Sequence, residues 1–406
     1  MKRACVVAFV PALVLLAACR SGPSHPEREQ GAVKSETTTS SSTTTTTAMT
    51  GTTTGSATGG TAADCPAAGR IDGAAGSGGP GALRMVSAQK GFAVDETSVL
   101  VTDDGRTWSR RYSGTEPMVS VDAVDADHAW AVGQRVLLAT SDGGRSWHPV
   151  SEPEQGILGE VDFTDAQAGW GVTGDHVYRT VDGGRTWQKA DPPCGGEAVC
   201  FTGPDDGWAA TGAHVYRSTD GGDSWTPAFT APTGKVDDPF NALSVHADQL
   251  QCARPGVAWV YFRGAGSGGH ISYAAYRGTS TGQWTPVLKE PLAGPQSVQA
   301  PGGGSYPSPM CALGPETAIY TSYTPLAAPP DNLGLRQATD GGRRLGPVRP
   351  IRGVFRATTV SFVTPDTGWV LGAEGGSSPV DDILATTDGG QTWQQQYSYA
   401  IPPPTG

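Results

Sequence analysis

The sequence predicts an all-β fold, a seven-bladed β-propeller of four-stranded antiparallel blades, on three observations. The first is composition: 406 residues carry 57 Gly, 32 Pro and only 17% charged residues, against roughly 25% charged in an ordinary soluble domain. Asp outnumbers Glu by 27 to 12. Asp and Gly favour turns where Glu favours helix. The second is a turn phrase, Ser/Thr-x-Asp-x-Gly-x-Thr/Ser-Trp, that returns along the chain. The third is an aromatic slot preceding each copy, so that all 11 Trp fall in one slot or the other.

The chain opens with a secretory signal, residues 1–18: Lys2 and Arg3, then an apolar run broken only by Pro11 and too short to span a bilayer. It ends in Leu16-Ala17-Ala18-Cys19, which resembles the lipobox of bacterial lipoproteins. That resemblance implies a diacylglyceryl group on Cys19 and an extracytoplasmic protein held at the cell membrane. Two acyl chains suffice for stable anchoring, at roughly 0.8 kcal/mol per buried methylene. Residues 19–64 are dominated by Ser, Thr and Gly and cannot bury enough surface to offset their ordering entropy. They read as a flexible stalk and a substrate for O-glycosylation. A Gly-rich lead-in, 65–82, brings the chain to the propeller, 83–400, and a short tail, 401–406.

Within the propeller the turn phrase reads Thr140-Ser141-Asp142-Gly143-Gly144-Arg145-Ser146-Trp147. It recurs with Asp182 and Trp187, Asp220 and Trp225, and Asp388 and Trp393. A fifth copy aligns Asp103 and Trp108, with Val101 in the first position, and degraded copies occupy 279–284 and 340–345. The upstream slot holds Phe92, Trp130, Trp170, Trp208, Trp259, Ile319 and Trp369. Each unit reads as four short strands, for example 159–163, 169–173, 176–180 and 186–190. Four strands recurring every 38 to 61 residues mark propeller blades. In the turn, Gly supplies positive φ, the Asp carboxylate accepts turn amides, and Trp packs on a neighbouring blade.

These phrases resemble the Asp-box, or bacterial neuraminidase repeat, of sialidases, sortilin-type receptors and the photosystem II stability/assembly factor family. Ala129-Trp130-Ala131-Val132-Gly133 and Gly368-Trp369-Val370-Leu371-Gly372 are most similar to the last of these. The resemblance implies the propeller fold and a role in assembling or stabilising a partner protein.

Slot and turn are 16 or 17 residues apart in the first four units and 24 to 26 in the last three. The extra residues fall in second-to-third strand connections, 263–270, 323–333 and 373–382, and in blade-to-blade connections, 226–244 and 285–309. All lie on the face opposite the Asp turns. Function usually sits on variable loops over a rigid scaffold, so the expected contact residues are Asp237, Asp238, Phe240, Arg263, His270, Tyr306, Tyr323, Asp331 and Asn332.

The net charge of −11 argues against nucleic acid, which demands clustered Lys and Arg. A sialidase needs an Arg triad, yet only Arg70 and Arg84 precede the first turn phrase within the folded part. A glycosidase needs two carboxylates at a defined separation, and no motif picks out a pair. His176 and His214 occupy equivalent positions in adjacent units without an indicated third ligand. No catalytic residue, cofactor or metal is expected. Cys5 leaves with the signal, so beyond Cys19 there remain Cys65, Cys194, Cys200, Cys252 and Cys311. The expected pairs are Cys252 with Cys311 and Cys194 with Cys200, with Cys65 to Cys194 as the alternative; five cannot all pair. The reading is a monomeric, membrane-anchored, non-catalytic protein that binds or scaffolds a protein or glycan at the cell envelope. An extracytoplasmic glycoside hydrolase of sialidase-like type is the alternative.

Overall fold

The computed structural model describes residues 81–151, 158–174, 176–232, 246–267, 270–287, 306–323, 333–373 and 380–400. They form seven antiparallel sheets, each built from four consecutive strands, and no helix. Blades 1 to 7 occupy 81–113, 118–150, 160–189, 198–230, 246–286, 306–350 and 356–400. Blade 6 carries a short fifth strand, Arg349–Pro350. The first strand of each blade packs against the first strands of its two neighbours, and that of blade 7, Arg356–Phe362, packs against that of blade 1, Gly81–Met85. The seven-bladed propeller expected from the repeat is therefore closed. The segments expected as signal, stalk and tail, with Cys19 and Cys65, lie outside the described residues.

Blade faces bury side chains against one another because both faces of each sheet meet a neighbour. Trp130 lies flat on Phe163 of the next blade's inner strand, with ring centroids 3.5 Å apart. Trp170 does the same on Phe201 at 3.5 Å. Stacked aromatics add roughly 0.5–1.5 kcal/mol beyond their buried area.

The repeated turn behaves as its residues dictate. In blade 3, Asp182 Oδ1 accepts the N–H groups of Arg185 and Thr186, both at 2.9 Å, and Oδ2 accepts the Thr186 hydroxyl at 2.6 Å. Gly183 and Gly184 take φ of 75° and 90°, where a side chain is strained. Asp142, Asp220 and Asp388 hold their turns likewise. The Gly183 N–H reaches the Gln167 carbonyl at 2.9 Å, so the first-to-second and third-to-fourth strand turns share one face of the ring.

Blade 1 departs from the expected alignment. Asp104, not Asp103, accepts the N–H groups of Arg106 and Thr107 at 2.8 and 2.7 Å. Its first position is Thr102, whose hydroxyl accepts Gly105 N–H at 2.9 Å. This turn is one glycine shorter, so counting back from Trp108 misplaces its aspartate. Asp103 instead pairs with Lys90 at 2.6 Å.

Two rings of contacts join the blades. On the turn face, each blade passes a side-chain donor to a turn carbonyl of the next. Lys90 reaches Gly143 O at 2.7 Å, Trp130 reaches Gly183 O at 3.1 Å and Trp170 reaches Gly221 O at 2.9 Å. Arg217 reaches Ser280 O at 2.6 Å, Trp259 reaches Gly314 O at 3.0 Å, Arg349 reaches Gly389 O at 2.5 Å and Gln396 reaches Gly105 O at 2.9 Å. Trp208 is the exception among the slot tryptophans: its buried Nε1 has no acceptor. The blade 5 turn it faces, 279–284, lacks the Asp-Gly-Gly segment whose first glycine carbonyl accepts Trp130 and Trp170.

The second ring runs through the inner strands. Asp122 Oδ2 accepts Phe163 N–H and Asp162 Oδ2 accepts Phe201 N–H, both at 2.8 Å. Gln251 accepts Ala312 N–H at 2.8 Å, Cys311 Sγ accepts Phe362 N–H at 3.3 Å and Ser361 accepts Met85 N–H at 2.9 Å. Arg84 meets Asp122 as an ion pair at 3.5 Å. These clasping residues sit opposite the aromatic slot in register, as Asp122 does to Trp130 and Cys311 to Ile319.

At the remaining junction, blade 4 to blade 5, the clasp is covalent: Cys200 is bonded to Cys252. Both expected pairings are thereby overturned. Each hydrogen-bonded clasp reaches forward to the following residue position of the next blade, and Cys252 occupies that receiving position. Cys311 is in the reaching position of blade 6 and is a free, buried thiol directed to blade 7. Cys194 is disulfide-bonded as well.

Candidate functional site

On the face opposite the repeated turns, the inner strand of blade 6, Tyr306–Ala312, pairs with its second strand, Ala318–Tyr323, so that Tyr306 and Tyr323 are directly opposed. Their rings lie 5.3 Å apart. Phe355, immediately before the inner strand of blade 7, meets Tyr323 edge-on at 6.4 Å. All three are half-buried. The sequence flanks this aromatic trio with cations: Arg352 is exposed, and Arg356 has no ion-pair partner among the described residues. A half-exposed aromatic cluster edged by arginine is the composition of binding surfaces.

Of the expected contact residues, the structure unites Tyr306 and Tyr323. Arg263 lies in another blade and is held by Asp248 at 3.1 Å, both largely shielded. Burial pushes the Asp248 carboxyl up, and Arg263 opposes the rise. Next to it in the fold, His246 meets Glu197 at 3.1 Å, joining blade 5 to blade 4. Asp237, Asp238, Phe240, Asp331 and Asn332 lie outside the described residues. His270 opens the third strand of blade 5, His270–Thr279. The second strand there runs Val257–Ser267 and stays paired to its end, Ser267 opposite His270. The extra length expected as a loop at 263–270 is thus mostly a longer hairpin.

Phe355 and Arg352 belong to a blade-to-blade connection that repeats nowhere else, and Arg356 opens the inner strand after it, so no repeat pattern points to them. The one signal is position: Val354-Phe355 immediately precedes the inner strand that Arg356 opens, hence the loop face.

The turn face carries two clefts beside blade 1. One, of about 440 Å³, is lined by Lys90, Asp103, Arg111, Asp127, Asp142 and Arg145. It assembles three carboxylates and two arginines, but Asp103, Asp142 and Arg145 are occupied. Asp103 is paired with Lys90 and Arg111. Hydrogen bonds from the Ser146 hydroxyl and N–H hold Asp142 well below the usual carboxylate range, the reverse of a general acid. Arg145 turns back to Asp142 O at 3.0 Å. The other cleft, about 500 Å³, lies at the blade 7 to blade 1 seam and is walled by Thr and Gln side chains with Asp104 and Arg106.

A different carboxylate group lies on the inner strands. Burial, followed by the negative field of Asp122, pushes Asp162 up to about 8 and Glu160 up to about 7. Glu160 is exposed on the inner strand, so solvent screens the field that raises it. Asp122 and Asp162 serve as clasps; Glu160 has no such duty. His176 and His214 are engaged locally, with Asp191 at 2.8 Å and Thr230 at 3.1 Å.

No family model matches the sequence, and no curated protein matches it. Among solved structures, the chain is similar to YCF48 bound to D1 peptide, at 17% identity over 76% of this chain and 92% of that chain, with a TM-score of 0.50. It is also similar to YCF48 from Cyanidioschyzon merolae, at 16% identity over 76% and 94%, with a TM-score of 0.51. At these identities the likeness is one of fold.

Proposed function

We propose that this propeller is a non-catalytic binding or scaffold protein that captures an extended segment of a partner protein across the loop face of blades 6 and 7. The observation that supports this most is the Tyr306, Tyr323 and Phe355 cluster, half-exposed and flanked by Arg352 and Arg356 on the face opposite the repeated turns. The similar fold of YCF48, whose structure holds a D1 peptide, is consistent with a peptide ligand. In this reading the repeated turns are Asp-boxes serving the fold, and the Cys19 lipid and the Ser/Thr stalk hold a monomeric propeller away from an extracytoplasmic membrane surface.

The test is affinity capture from membrane fractions with crosslinking, comparing the wild type with Tyr306→Ala/Tyr323→Ala. The double variant is expected to lose the captured protein, and undiminished capture refutes the reading. A glycan array run in parallel identifies a saccharide partner instead.

One observation favours a second reading, an extracytoplasmic glycoside hydrolase. Glu160 and Asp162 sit close together with carboxyls raised toward neutrality, as an acid catalyst requires. Hydrolysis of an arrayed glycan, lost in Glu160→Gln, would establish it.

A further inference from the structure

We propose that the Cys200–Cys252 disulfide is a redox-responsive clasp that sets how tightly the ring closes between blades 4 and 5. Three observations meet at this junction. It is the one inner-strand junction, among the described residues, closed by a covalent bond. It is also where the slot tryptophan, Trp208, has a buried Nε1 without an acceptor. And the residue following the blade 5 clasp position is Cys252, where blades 3 and 4 present Phe163 and Phe201 to a stacked indole. The disulfide stands in for the two noncovalent contacts, clasp and stack, that join blade 2 to blade 3 and blade 3 to blade 4.

The ring also shows what the reduced junction becomes. Cys311 holds the equivalent position two blades on, as a free thiol whose sulfur accepts Phe362 N–H at 3.3 Å. After reduction, Cys200 is left with the same weak acceptor facing blade 5. The cross-link closes a separation of 52 residues, and losing it restores freedom to that loop. Collapse does not follow, because Ala198, Trp208, Val260, Phe262 and Tyr276 remain packed in one cluster across the junction.

The reductant is a dithiol. Its thiolate attacks Cys252, which is half-buried where Cys200 is 2% exposed. The S–S bond breaks with its electron pair on Cys200 sulfur, which takes a proton. The second thiol of the reagent then displaces Cys252 as a thiol and closes a cyclic disulfide, so two electrons and two protons pass to the protein.

The experiment is hydrogen exchange on the full propeller, before and after dithiothreitol, and on Cys200→Ser/Cys252→Ser without reductant. The double variant separates this bond from the disulfide at Cys194. Amide exchange in Ala198–Phe201 and His246–Ala253 is expected to rise at least about tenfold, while Glu160–Phe163 and Arg356–Phe362 change less than about twofold. The reduced wild type and the oxidised double variant should agree. Exchange unchanged at the two strands, or raised equally around the whole ring, overturns the proposal.

Discussion

The indole N–H of Trp170 donates to the carbonyl of Gly221, 2.9 Å away in the next blade, whereas Trp208, one blade on and equally buried, donates to nothing. A buried donor without an acceptor costs roughly 1–3 kcal/mol. Phenylalanine removes the N–H at either position and leaves a similar gap. Trp170→Phe should therefore destabilise by about 1–2 kcal/mol more than Trp208→Phe, measured by denaturant unfolding. Equal losses would show that the latch contributes nothing.

The blade 1 turn separates two adjacent aspartates by role. Asp104→Ala removes the acceptor for Arg106 and Thr107 N–H, while Asp103→Ala removes an exposed partner of Lys90 and Arg111. The melting temperature should fall further in Asp104→Ala. The opposite order would restore the alignment counted from Trp108.

Stability should depend on pH in two directions. Glu160 and Asp162 have folded-state pKa values of about 7 and about 8, above their unfolded values. Their contribution is complete below pH ~4 and is lost as pH rises toward 7–8. The turn aspartates Asp104, Asp220 and Asp388 are held at about 2, chiefly by hydrogen bonds from Thr107 N–H and the Ser224 and Thr392 hydroxyls. Their contribution is present above pH ~4 and lost as pH falls toward 2. Melting temperatures across this range should peak at pH ~4. Glu160→Gln should flatten the alkaline limb; an unaltered limb would remove Glu160 from the cause.

Arg263 is expected to matter for stability before it matters for any partner. Arg263→Ala leaves the shielded Asp248 carboxylate without its cation and should cost about 1–2 kcal/mol. Adding Asp248→Asn should recover part of that. Thermal unfolding of the two variants decides, and strictly additive losses would contradict the pairing.

The ring was legible in the sequence because its packing residues repeat: Trp130, Trp170 and Trp208 face the same surroundings in turn, so one environment is written several times. Errors entered where a repeat slipped by one residue. Cys200 and Cys311 lie eight residues before the aromatic slot and Cys252 seven, and in a strand that single step turns a side chain to the other face. Asp103 and Asp104 differ in the same way. The extra residues of blade 5, 263–270, read as a loop because length alone was counted, although Arg263, Gly266 and Ser267 pair with Tyr273, Ile271 and His270. The aromatic trio was half legible. Tyr306 and Tyr323 lie at strand ends fixed by the repeat, whereas Phe355 belongs to a connection with no counterpart.

The first and seventh blades are each complete in themselves, and side chains alone join them: Gln396 to Gly105 at 2.9 Å, Tyr397 to Asp95 at 3.1 Å and Met85 N–H to Ser361 at 2.9 Å. Among the described residues, no blade borrows a strand from the far end of the chain. Duplicating or deleting one in-frame stretch of about 40 residues would thus add or remove a whole blade and leave both partners of the closing seam intact. A gene so organised can change the number of sectors in its ring by unequal recombination. Its termini can equally be relocated to any inter-blade connection by circular permutation.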